Sequence, residues 1–522
     1  MRMATYASRP AWELRARAVS SARIAAPLGI GLLLAVSVLL RTRELGVGFW
    51  IDEGLSVGIA DRPLADIPGV LRQDGSPPLY YLLLHFWLAL AGRSEESVHA
   101  LSVLFAVLCV PVAFWAGWTL FGRRAAWIAA LLAALNPFMT QYAQEGRMYA
   151  LVTLLGLVSV TCWLQAFTAD ADSVRRAPAI GFAVALAAML YTHNWALFFG
   201  AATGVAWLLQ LWRARGQERR RLLHTGLLAY GGAVVLYAPW IPNTLYQAAH
   251  TGAPWAEAPS LAVLASVPAR ILGEVAEVAV VLAAGSGVVA LLRSRDAHGR
   301  AVTALLVIAV LTIVLAWLGS QLSPAWAARY LAAGVPPFLL LAAAGFASAG
   351  RLGLAGLALV AVLWAIDGAP AEKSNVRAVA ESIGPSLRAG DLVVSTQPEQ
   401  IPVLDYYLPE GLRYASLTGP VPDTGVTDWR DGVQRLRATS AERDLAPLLD
   451  ALGPGQRLAL VVPQVYSLRR WSAPWTELVR LRSEEWVQYV SNDRRLGLTA
   501  VVPADPFSTG PNPVRALVYL RR

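Results

Sequence analysis

The chain has 522 residues, of which 56% are hydrophobic and only 15% are charged, and its formal net charge is +9. Apolar runs recur from Ile24 to about Ala365, which excludes a string of soluble domains and indicates a polytopic membrane protein. The arginines cluster at the ends of these runs, so the positive charge reflects membrane topology and predicts no nucleic-acid partner. Cys109 and Cys162 lie inside apolar runs, where they indicate packing and neither a disulfide nor a metal site.

The first apolar run, residues 24–40, is predicted to be a retained transmembrane helix that follows a cytoplasmic segment, residues 1–23. It is long enough to span a bilayer, and charged residues follow it where a signal peptide would have a small-residue cleavage site. Eleven spans are predicted in all. They are residues 24–40, 97–120, 124–138, 147–169, 178–191, 194–212, 222–241, 275–292, 301–320, 330–349 and 353–367.

The distribution of arginines orients these spans in the plasma membrane. With residues 1–23 in the cytoplasm, the arginine pairs at 123–124 and 175–176 and the run at 219–221 all fall on the cytoplasmic side. The short external loops contain few basic residues. These are chiefly Arg147, Arg270 and Arg329. An odd number of spans then predicts that the C-terminal part of the chain is extracytoplasmic.

One apolar segment, Pro77–Leu90, is not predicted to span the membrane. It begins with two prolines, which suit a helix N-terminus, and its length of about 14 residues is short for a crossing. Counting it as a span would also move the arginine run at 219–221 to the outside. We therefore interpret it as an interfacial or re-entrant helix. The first external loop then extends over residues 41–96, and ordered loops of this length are usually functional.

The composition changes after Asp367. Residues 368–375 read as a linker, and helical and β-rich segments then alternate. Helical spacing occurs at 374–387 and 473–490, and β-rich runs occur at 391–395, 458–462, 496–502 and 514–520. The alternation predicts an extracytoplasmic α/β domain over residues 368–522, behind a membrane domain over residues 24–367. The α/β domain contains no recognisable catalytic or metal motif, and we expect a supporting or acceptor-handling role.

The unusual polar residues all fall on the external face of this topology. Asp52, Glu53 and Asp74 lie in the first external loop. The later external loops contribute Tyr142, Glu145, Arg147, His193, Arg329 and Tyr330. Ionisable residues near membrane depth are costly and mark functional sites by default.

Each of these residues also has a simpler interpretation. Asp52 and Glu53 suit solvated loop acids or a helix cap, and Arg147 and Arg329 suit side chains that snorkel to the membrane boundary. His193 suits a hydrogen-bonded structural histidine. The convergence of opposite charges on one face favours a functional site.

The order of the motifs resembles the bacterial branch of the GT-C membrane glycosyltransferases, the group of the protein O-mannosyltransferases and the aminoarabinose transferases of lipid A. The motifs are Trp50-Ile51-Asp52-Glu53, Asp74-Gly75-Ser76-Pro77-Pro78-Leu79-Tyr80-Tyr81, Gln144-Glu145-Gly146-Arg147-Met148-Tyr149, Tyr191-Thr192-His193 and Arg329-Tyr330-Leu331. The resemblance covers residues 24–367, and residues beyond it resemble no particular enzyme.

The resemblance implies a transferase that takes a sugar from a polyprenyl-phosphate carrier at the outer face of the membrane. By position in the motif, Asp52 corresponds to the family's catalytic base, and Glu53 is its neighbour. Arg147, and less closely Arg329, correspond to the residues that hold the carrier phosphate. Asp74, Tyr142, Glu145, His193 and Tyr330 are the other candidate substrate-binding residues.

The chemistry of such a transfer agrees with the residue types. Displacing polyprenyl phosphate with inversion needs one carboxylate to accept the acceptor's proton, and arginine suits the departing phosphate. Retention would need a second, nucleophilic carboxylate, for which Glu53 and Asp74 are the candidates. Asp74 and His193 can together hold a divalent metal. Members of this fold differ in metal dependence, and the question of a cofactor therefore stays open.

Two other classes of protein fit part of the pattern. A transporter or lipid flippase would also have many spans, although such proteins tend to show paired halves, and none is visible here. A polymerase or ligase of surface glycans would usually place its working residues in a large late loop. Mannose, arabinose, galactose and glucose carriers all fit the transferase, and so do protein, lipid and glycan acceptors.

Overall fold

The computed structural model describes residues 11–169, 173–366, 373–504 and 513–522. Helices make up the chain as far as residue 366, and a six-stranded sheet with flanking helices follows. The predicted linker at 368–375 lies mostly outside the described residues. So does the first part of the predicted cytoplasmic segment, residues 1–10.

The helices of the first part alternate between long apolar ones and short ones in the loops. The first ten are α1 (Ala11–Arg41), α2 (Ile51–Ala60), α3 (Ile67–Asp74), α4 (Leu79–Ala91), α5 (Glu95–Phe121), α6 (Arg123–Leu135), α7 (Pro137–Ala143), α8 (Tyr149–Phe167), α9 (Arg176–Leu190) and α10 (Ala196–Arg213). The next nine are α11 (Gly216–Gly226), α12 (Gly232–Tyr237), α13 (Ile241–His250), α14 (Leu261–Ala265), α15 (Val267–Leu272), α16 (Ala276–Leu292), α17 (Ala297–Leu322), α18 (Val335–Ser348) and α19 (Gly350–Ile366). A π-helical turn, Leu227–Gly231, joins α11 to α12.

Every predicted span coincides with an apolar helical segment of the structure. Within the described residues, four helices are both long and apolar enough to cross a membrane. They are Glu95–Phe121, Tyr149–Phe167, the continuous helix Gly216–His250, and Ala297–Leu322. Five of the other predicted spans correspond to apolar helices of 10–17 residues. The remaining two, residues 124–138 and 194–212, coincide with α6 and α10. The number of crossings therefore stays a prediction, whereas the helical segments themselves are confirmed.

Small residues let the long helices approach closely. A Cβ atom on Gly287 of α16 would lie 1.9 Å from the carbonyl oxygen of Gly345 on α18. Gly345 is equally constrained, because a Cβ atom there would lie 2.3 Å from the carbonyl oxygen of Ala284. Contacts of this kind between small residues are typical of helices packed in a membrane, where lipid is as apolar as the side chains.

The first external loop folds into α2, α3 and α4. The helix α4 is the segment predicted to be interfacial, and it begins directly after Pro78. The backbone N–H of Leu79 donates to the carbonyl oxygen of Tyr191, which ties the start of α4 to the loop between α9 and α10 at 2.8 Å. Phe86 and Leu90 on α4 are 60% and 81% exposed. This apolar exposed face suits contact with lipid.

The C-terminal part is the α/β domain that the alternation of segments predicts. Its elements are α20 (Val376–Ile383), β1 (Leu392–Ser395), α21 (Ile401–Tyr407), β2 (Arg413–Ser416), β3 (Gly419–Pro420), α22 (Gly432–Arg437), α23 (Ala446–Asp450), β4 (Arg457–Pro463), α24 (Pro474–Asn492), β5 (Leu496–Val502) and β6 (Val514–Arg521). The strand order is β3-β2-β1-β4-β6-β5. Strand β1 is parallel to β2 and β4, whereas β6 is antiparallel to β4 and β5.

The α/β domain packs directly on the first external loop. Tyr407 of α21 accepts a hydrogen bond from the backbone N–H of Phe49 at 2.7 Å. Gly54 in α2 is packed so tightly that a Cβ atom there would lie 2.6 Å from Val403 of α21. The backbone N–H of Trp429 donates to Gln73 at 2.9 Å. The helix α2 is therefore enclosed between the membrane helices and the α/β domain.

Candidate active site

Asp52 lies in the first turn of α2 with its side chain 17% exposed. One of its oxygens, Oδ2, is 3.3 Å from Nη2 of Arg329 and 3.9 Å from Nε of Arg147. Two guanidinium groups from different loops thus converge on a single carboxylate. Opposite charges in a partly buried position attract one another more strongly than they would in bulk water.

Arg147 lies in the tight turn between α7 and α8 and is 8% exposed. Its Nη1 donates to Ser56 Oγ at 3.0 Å, to Tyr81 Oη at 3.1 Å and to the backbone oxygen of Asp52 at 3.2 Å. Burial opposes its charge, but the neighbouring Tyr81 and Asp52 outweigh burial and raise the pKa of Arg147 well above its usual value. Arg147 is therefore a fixed cation that also fastens α2 and α4 to the start of α8.

Arg329 lies in a short 3₁₀ helix, Ala328–Ala333, between α17 and α18. Its guanidinium carbon is 5.2 Å from the ring centre of Trp50, 5.1 Å from that of Trp255 and 5.4 Å from that of Tyr330. These rings hold the guanidinium through cation–π contacts. Its Nε atom has no hydrogen-bond partner within the described part of the chain, so it has donor capacity to spare.

His193 lies in the loop between α9 and α10. Its Nδ1 accepts a hydrogen bond from the backbone N–H of Trp195 at 3.0 Å, which leaves the ring hydrogen on Nε2. Burial lowers the pKa of His193 to about 3, and the nearby Arg147 and Arg329 act in the same direction. The ring is therefore neutral at physiological pH, and it offers an N–H group and no positive charge.

These groups line one cavity of about 410 Å³. Six of the nine residues predicted from the sequence are in its wall. They are Asp52, Asp74, Arg147, His193, Arg329 and Tyr330. The α/β domain contributes Trp429 to the same wall, so the cavity lies where the two parts of the chain meet. Among the residues that the structure describes, no group of three or more His, Cys, Asp or Glu side chains is arranged to hold a metal ion.

Glu53 does not line the cavity, although it is adjacent to Asp52 in the sequence. Its side chain is fully buried, and Oε1 is 2.6 Å from Lys373 Nζ and 2.7 Å from His99 Nε2. Oε1 also accepts the backbone N–H of Gly146 at 2.7 Å, and Oε2 accepts that of Trp50 at 3.3 Å. Burial alone would oppose ionisation, but Lys373 and His99 outweigh burial and lower the pKa of Glu53 to about 2.

Tyr142 and Glu145 also lie outside the cavity wall. Tyr142 is buried with its ring centre 4.5 Å from that of Phe138 and 5.4 Å from that of Tyr149. Burial raises the pKa of Glu145 to about 7, and its Oε2 has no hydrogen-bond partner within the described residues. Tyr142 lies in the last turn of α7, whereas Glu145 lies in the turn that carries Arg147 and accepts the backbone N–H of Arg147 on its carbonyl oxygen at 2.7 Å.

Lys373 is the residue that sequence reasoning missed most clearly. Its ammonium group contacts Glu53 and also donates to the backbone oxygen of Gln144 at 2.9 Å. The sequence did contain a signal, because Lys373 is the single lysine in the chain and every other cationic side chain of the Lys and Arg class is an arginine. Lysine provides a compact charge with three donors, which suits this enclosed position better than a planar guanidinium.

Comparison with known proteins gives one match to a family model. A family model described as dolichyl-phosphate-mannose-protein mannosyltransferase matches residues 75–242. No curated protein matches the sequence.

Solved structures of membrane glycosyltransferases are similar over nearly the whole chain. The apo structure of ArnT from Cupriavidus metallidurans has 12% identity and a TM-score of 0.59, and the match covers 96% of this chain and 98% of that one. The structure of the same protein bound to undecaprenyl phosphate has 12% identity and a TM-score of 0.57, with 95% and 97% covered. The apo oligosaccharyltransferase of Archaeoglobus fulgidus has 11% identity and a TM-score of 0.53, with 93% and 73% covered.

At this level of identity the structural similarities establish the fold, and the fold is of the GT-C type. The predicted class, a multi-pass membrane protein with a GT-C glycosyltransferase fold and a C-terminal α/β domain, is confirmed. The family-model match supports the same type of enzyme, a glycosyltransferase similar to the protein mannosyltransferases and to ArnT.

Proposed function

We propose that this protein transfers a sugar from a polyprenyl-phosphate donor to an acceptor hydroxyl at the outer face of the plasma membrane. The single observation that carries the proposal is the convergence of Asp52, Arg147 and Arg329 on one cavity, with 3.3 Å between Asp52 Oδ2 and Arg329 Nη2. The family-model match and the undecaprenyl phosphate bound to ArnT support the choice of donor.

In the proposed step Asp52 is the general base. It accepts the proton of the acceptor hydroxyl while the oxygen of that hydroxyl forms a bond to the anomeric carbon. The bond between the anomeric carbon and the phosphate oxygen breaks, and its electron pair leaves with polyprenyl phosphate. The departing group gains one negative charge, which Arg329 and Arg147 stabilise. The acceptor receives the sugar with inversion.

The contact between Asp52 and Arg329 gives the donor a second role. Before the donor binds, the guanidinium is paired with the carboxylate that must accept a proton. A phosphate in the cavity competes for that guanidinium, because Arg329 then has two anionic neighbours. Donor binding would thus draw the cation toward the phosphate and leave Asp52 available for the acceptor.

A single displacement fits the cavity better than a double one. A double displacement needs an ionised carboxylate as nucleophile, and Asp74 is the second carboxyl group in the wall. Burial raises the pKa of Asp74 above its ordinary value, which disfavours the ionised form. Glu53 is ionised, but it is enclosed by protein. We therefore propose inversion of the anomeric centre.

The proposed orientation places the N-terminus in the cytoplasm and the α/β domain outside. The exposed apolar face of α4 would then lie at the outer membrane surface, where a polyprenyl chain is available. The acceptor is a glycan, a lipid or a protein that reaches this surface. A nucleotide sugar is not required, since the donor is lipid-linked.

The proposal is tested with the purified full-length protein in lipid nanodiscs. Undecaprenyl-phosphate mannose, arabinose, galactose and glucose are offered with octyl glycosides and a serine/threonine-rich peptide as acceptors. We expect one of these donors to be cleaved, with release of undecaprenyl phosphate and an inverted glycosidic bond by NMR. All donors remaining intact would overturn the activity and favour a transporter or flippase, and retained configuration would overturn the single displacement.

A further inference from the structure

The cavity wall contains a second set of polar groups that the proposed reaction does not use. Asp74, Asn194 and Gln247 all line the cavity. Asp74 Oδ2, Asn194 Oδ1 and Gln247 Oε1 are buried, and none has a hydrogen-bond partner among the described residues. Leaving a buried acceptor unpaired is unfavourable, and three such oxygens in one cavity indicate a ligand that brings donors.

The orientation of the two amides is fixed by the last turn of α3 and the loop that joins α3 to α4. Gln247 Nε2 donates to the backbone oxygens of Leu71 at 2.8 Å and Ser76 at 3.0 Å. Asn194 Nδ2 donates to the backbone oxygen of Gly75 at 3.2 Å. Carbonyl oxygens can only accept, so each amide must turn its nitrogen toward the loop and its oxygen away from it. The acceptor character of Asn194 Oδ1 and Gln247 Oε1 is thus built into the fold.

The charges around the cavity favour a neutral donor of hydrogen bonds over a cation. Arg147 and Arg329 bring two positive charges, of which Asp52 balances one. Burial raises the pKa of Asp74, which reduces its negative charge at a given pH. Once the donor phosphate balances the second guanidinium, the wall holds little excess negative charge to attract a metal ion or a protonated amine. Hydroxyl groups carry donors without charge, and a sugar ring presents several of them.

We propose that Asp74, Asn194 and Gln247 form the subsite that binds the hydroxyl groups of a neutral sugar on the donor. This inference rests on the proposed function, because it assumes that the sugar enters on a phosphate held by Arg147 and Arg329. The phosphate and the sugar are then recognised by separate parts of one wall.

The test compares variants that remove an acceptor oxygen with variants that keep it. Asn194→Leu and Gln247→Leu remove the oxygen, whereas Asn194→Gln and Gln247→Asn retain both the amide oxygen and the amide nitrogen. Gln165→Leu is the matched control, because Gln165 bonds Thr119 near the opposite end of α8. We expect each acceptor-removing variant to lower kcat/KM for the preferred undecaprenyl-phosphate sugar by about tenfold, and each oxygen-retaining variant to recover much of the loss.

Two further measurements separate sugar recognition from a structural role. The inhibition constant of undecaprenyl phosphate, which has no sugar, should be unchanged in Asn194→Leu. A deoxy donor that lacks the recognised hydroxyl should be used equally well by the wild type and by that variant. A structural defect would instead weaken binding of the carrier phosphate and lower the rate with every donor to the same extent.

The outcomes distinguish this inference from the proposed function. A wild-type protein that cleaves no donor overturns both. A wild-type protein that transfers sugar, with Asn194→Leu and Gln247→Leu equal to it, overturns the subsite alone. Loss of wild-type activity in EDTA with recovery in Mg²⁺, together with loss of that recovery in Asn194→Leu, would mean that these oxygens bind a metal and would also overturn the subsite. Should Gln247→Leu fail to fold, Asn194→Leu decides the question, since Asn194 makes a single side-chain hydrogen bond.

Discussion

Lys373 Nζ lies 2.6 Å from Glu53 Oε1, although 320 positions separate the two residues in the sequence. This contact joins the start of the α/β domain to the helix that carries Asp52. His99 of α5 and the backbone of Gly146 approach the same oxygen. The position of Asp52, the proposed base, therefore depends on the buried carboxylate of Glu53, which contacts three other parts of the chain.

Replacing Lys373 with Met should destabilise the protein strongly. The substitution keeps most of the length of the side chain but leaves the ionised Glu53 buried without its closest cation. Removing one partner of a buried ion pair costs roughly 3–5 kcal/mol. We expect a fall of the thermal unfolding midpoint by several degrees, measured by tryptophan fluorescence in detergent. The control is Arg377→Met, because Arg377 pairs with Glu95 at a more exposed position. Equal midpoints for the two variants would argue against a special role for the buried pair.

The lowered pKa of Glu53 also predicts how the stability of the protein changes as the pH falls. The pKa of Glu53 is lowered to about 2 in the folded protein, against 4.5 in its unperturbed state. A carboxylate whose pKa is lowered by folding stabilises the protein fully at pH values above its pKa in the unfolded chain. This stabilisation is lost as the pH falls through its pKa in the folded protein. The wild type should lose on the order of 3 kcal/mol between pH 5 and pH 2 through this group. Unfolding midpoints measured across this range should fall less steeply in Glu53→Gln, and parallel curves would contradict the assignment.

The raised pKa of Glu145 predicts the opposite effect at higher pH, namely a fall in stability as the pH rises. Burial raises the pKa of Glu145 to about 7 from 4.5, so the folded protein holds a proton that the unfolded chain releases. Stability through this group should therefore decrease as the pH rises from 4.5 to 7 and stay low above it. Glu145→Gln removes the titrating proton, and we expect its unfolding midpoint to exceed that of the wild type at pH 8 and to approach it at pH 5. A constant difference across that range would refute the prediction.

Arg329 should resist replacement by lysine. Its guanidinium contacts Asp52 and three aromatic rings, and a lysine keeps the charge but loses the planar group. We expect Arg329→Lys to lower kcat/KM for the lipid-linked donor by roughly tenfold to a hundredfold, with little change in the unfolding midpoint. The control is Arg62→Lys, because Arg62 pairs with Asp423 and does not line the cavity. Wild-type activity in Arg329→Lys would exclude a specific role for the guanidinium at the phosphate.

The membrane helices and the alternation of helices and strands could be predicted because both depend on the local amino-acid composition. Lipid requires continuous apolar runs with internally satisfied backbones, and each predicted run became a helix. Strands β2 and β3 were missed. Strand β2 (Arg-Tyr-Ala-Ser) lacks the β-branched residues that marked β1, and β3 contains only two residues. The loop order alone predicted that the candidate site residues gather on one face, and six of the nine line one cavity.

The sequence could not predict that Asp52 lines the cavity whereas Glu53 is buried outside it. Neighbouring residues on a helix point about 100° apart, so the two carboxylates separate only once α2 exists and is placed. That placement depends on Lys373 and on α21 of the distant domain, which no local pattern reveals. Gln247 and Asn194 were missed for the same reason, because their oxygens become available only through hydrogen bonds to a loop elsewhere in the chain.

The central claim is that Asp52 accepts the proton of the acceptor hydroxyl, and single-turnover kinetics of Asp52→Asn test it most directly. The variant is isosteric and is compared with Asp66→Asn, an exposed carboxylate in the same external loop. With saturating donor and acceptor, we predict that Asp52→Asn lowers the rate of sugar transfer by about a hundredfold or more, while undecaprenyl phosphate still binds. A transfer rate within a few-fold of the wild type and of Asp66→Asn would contradict the account.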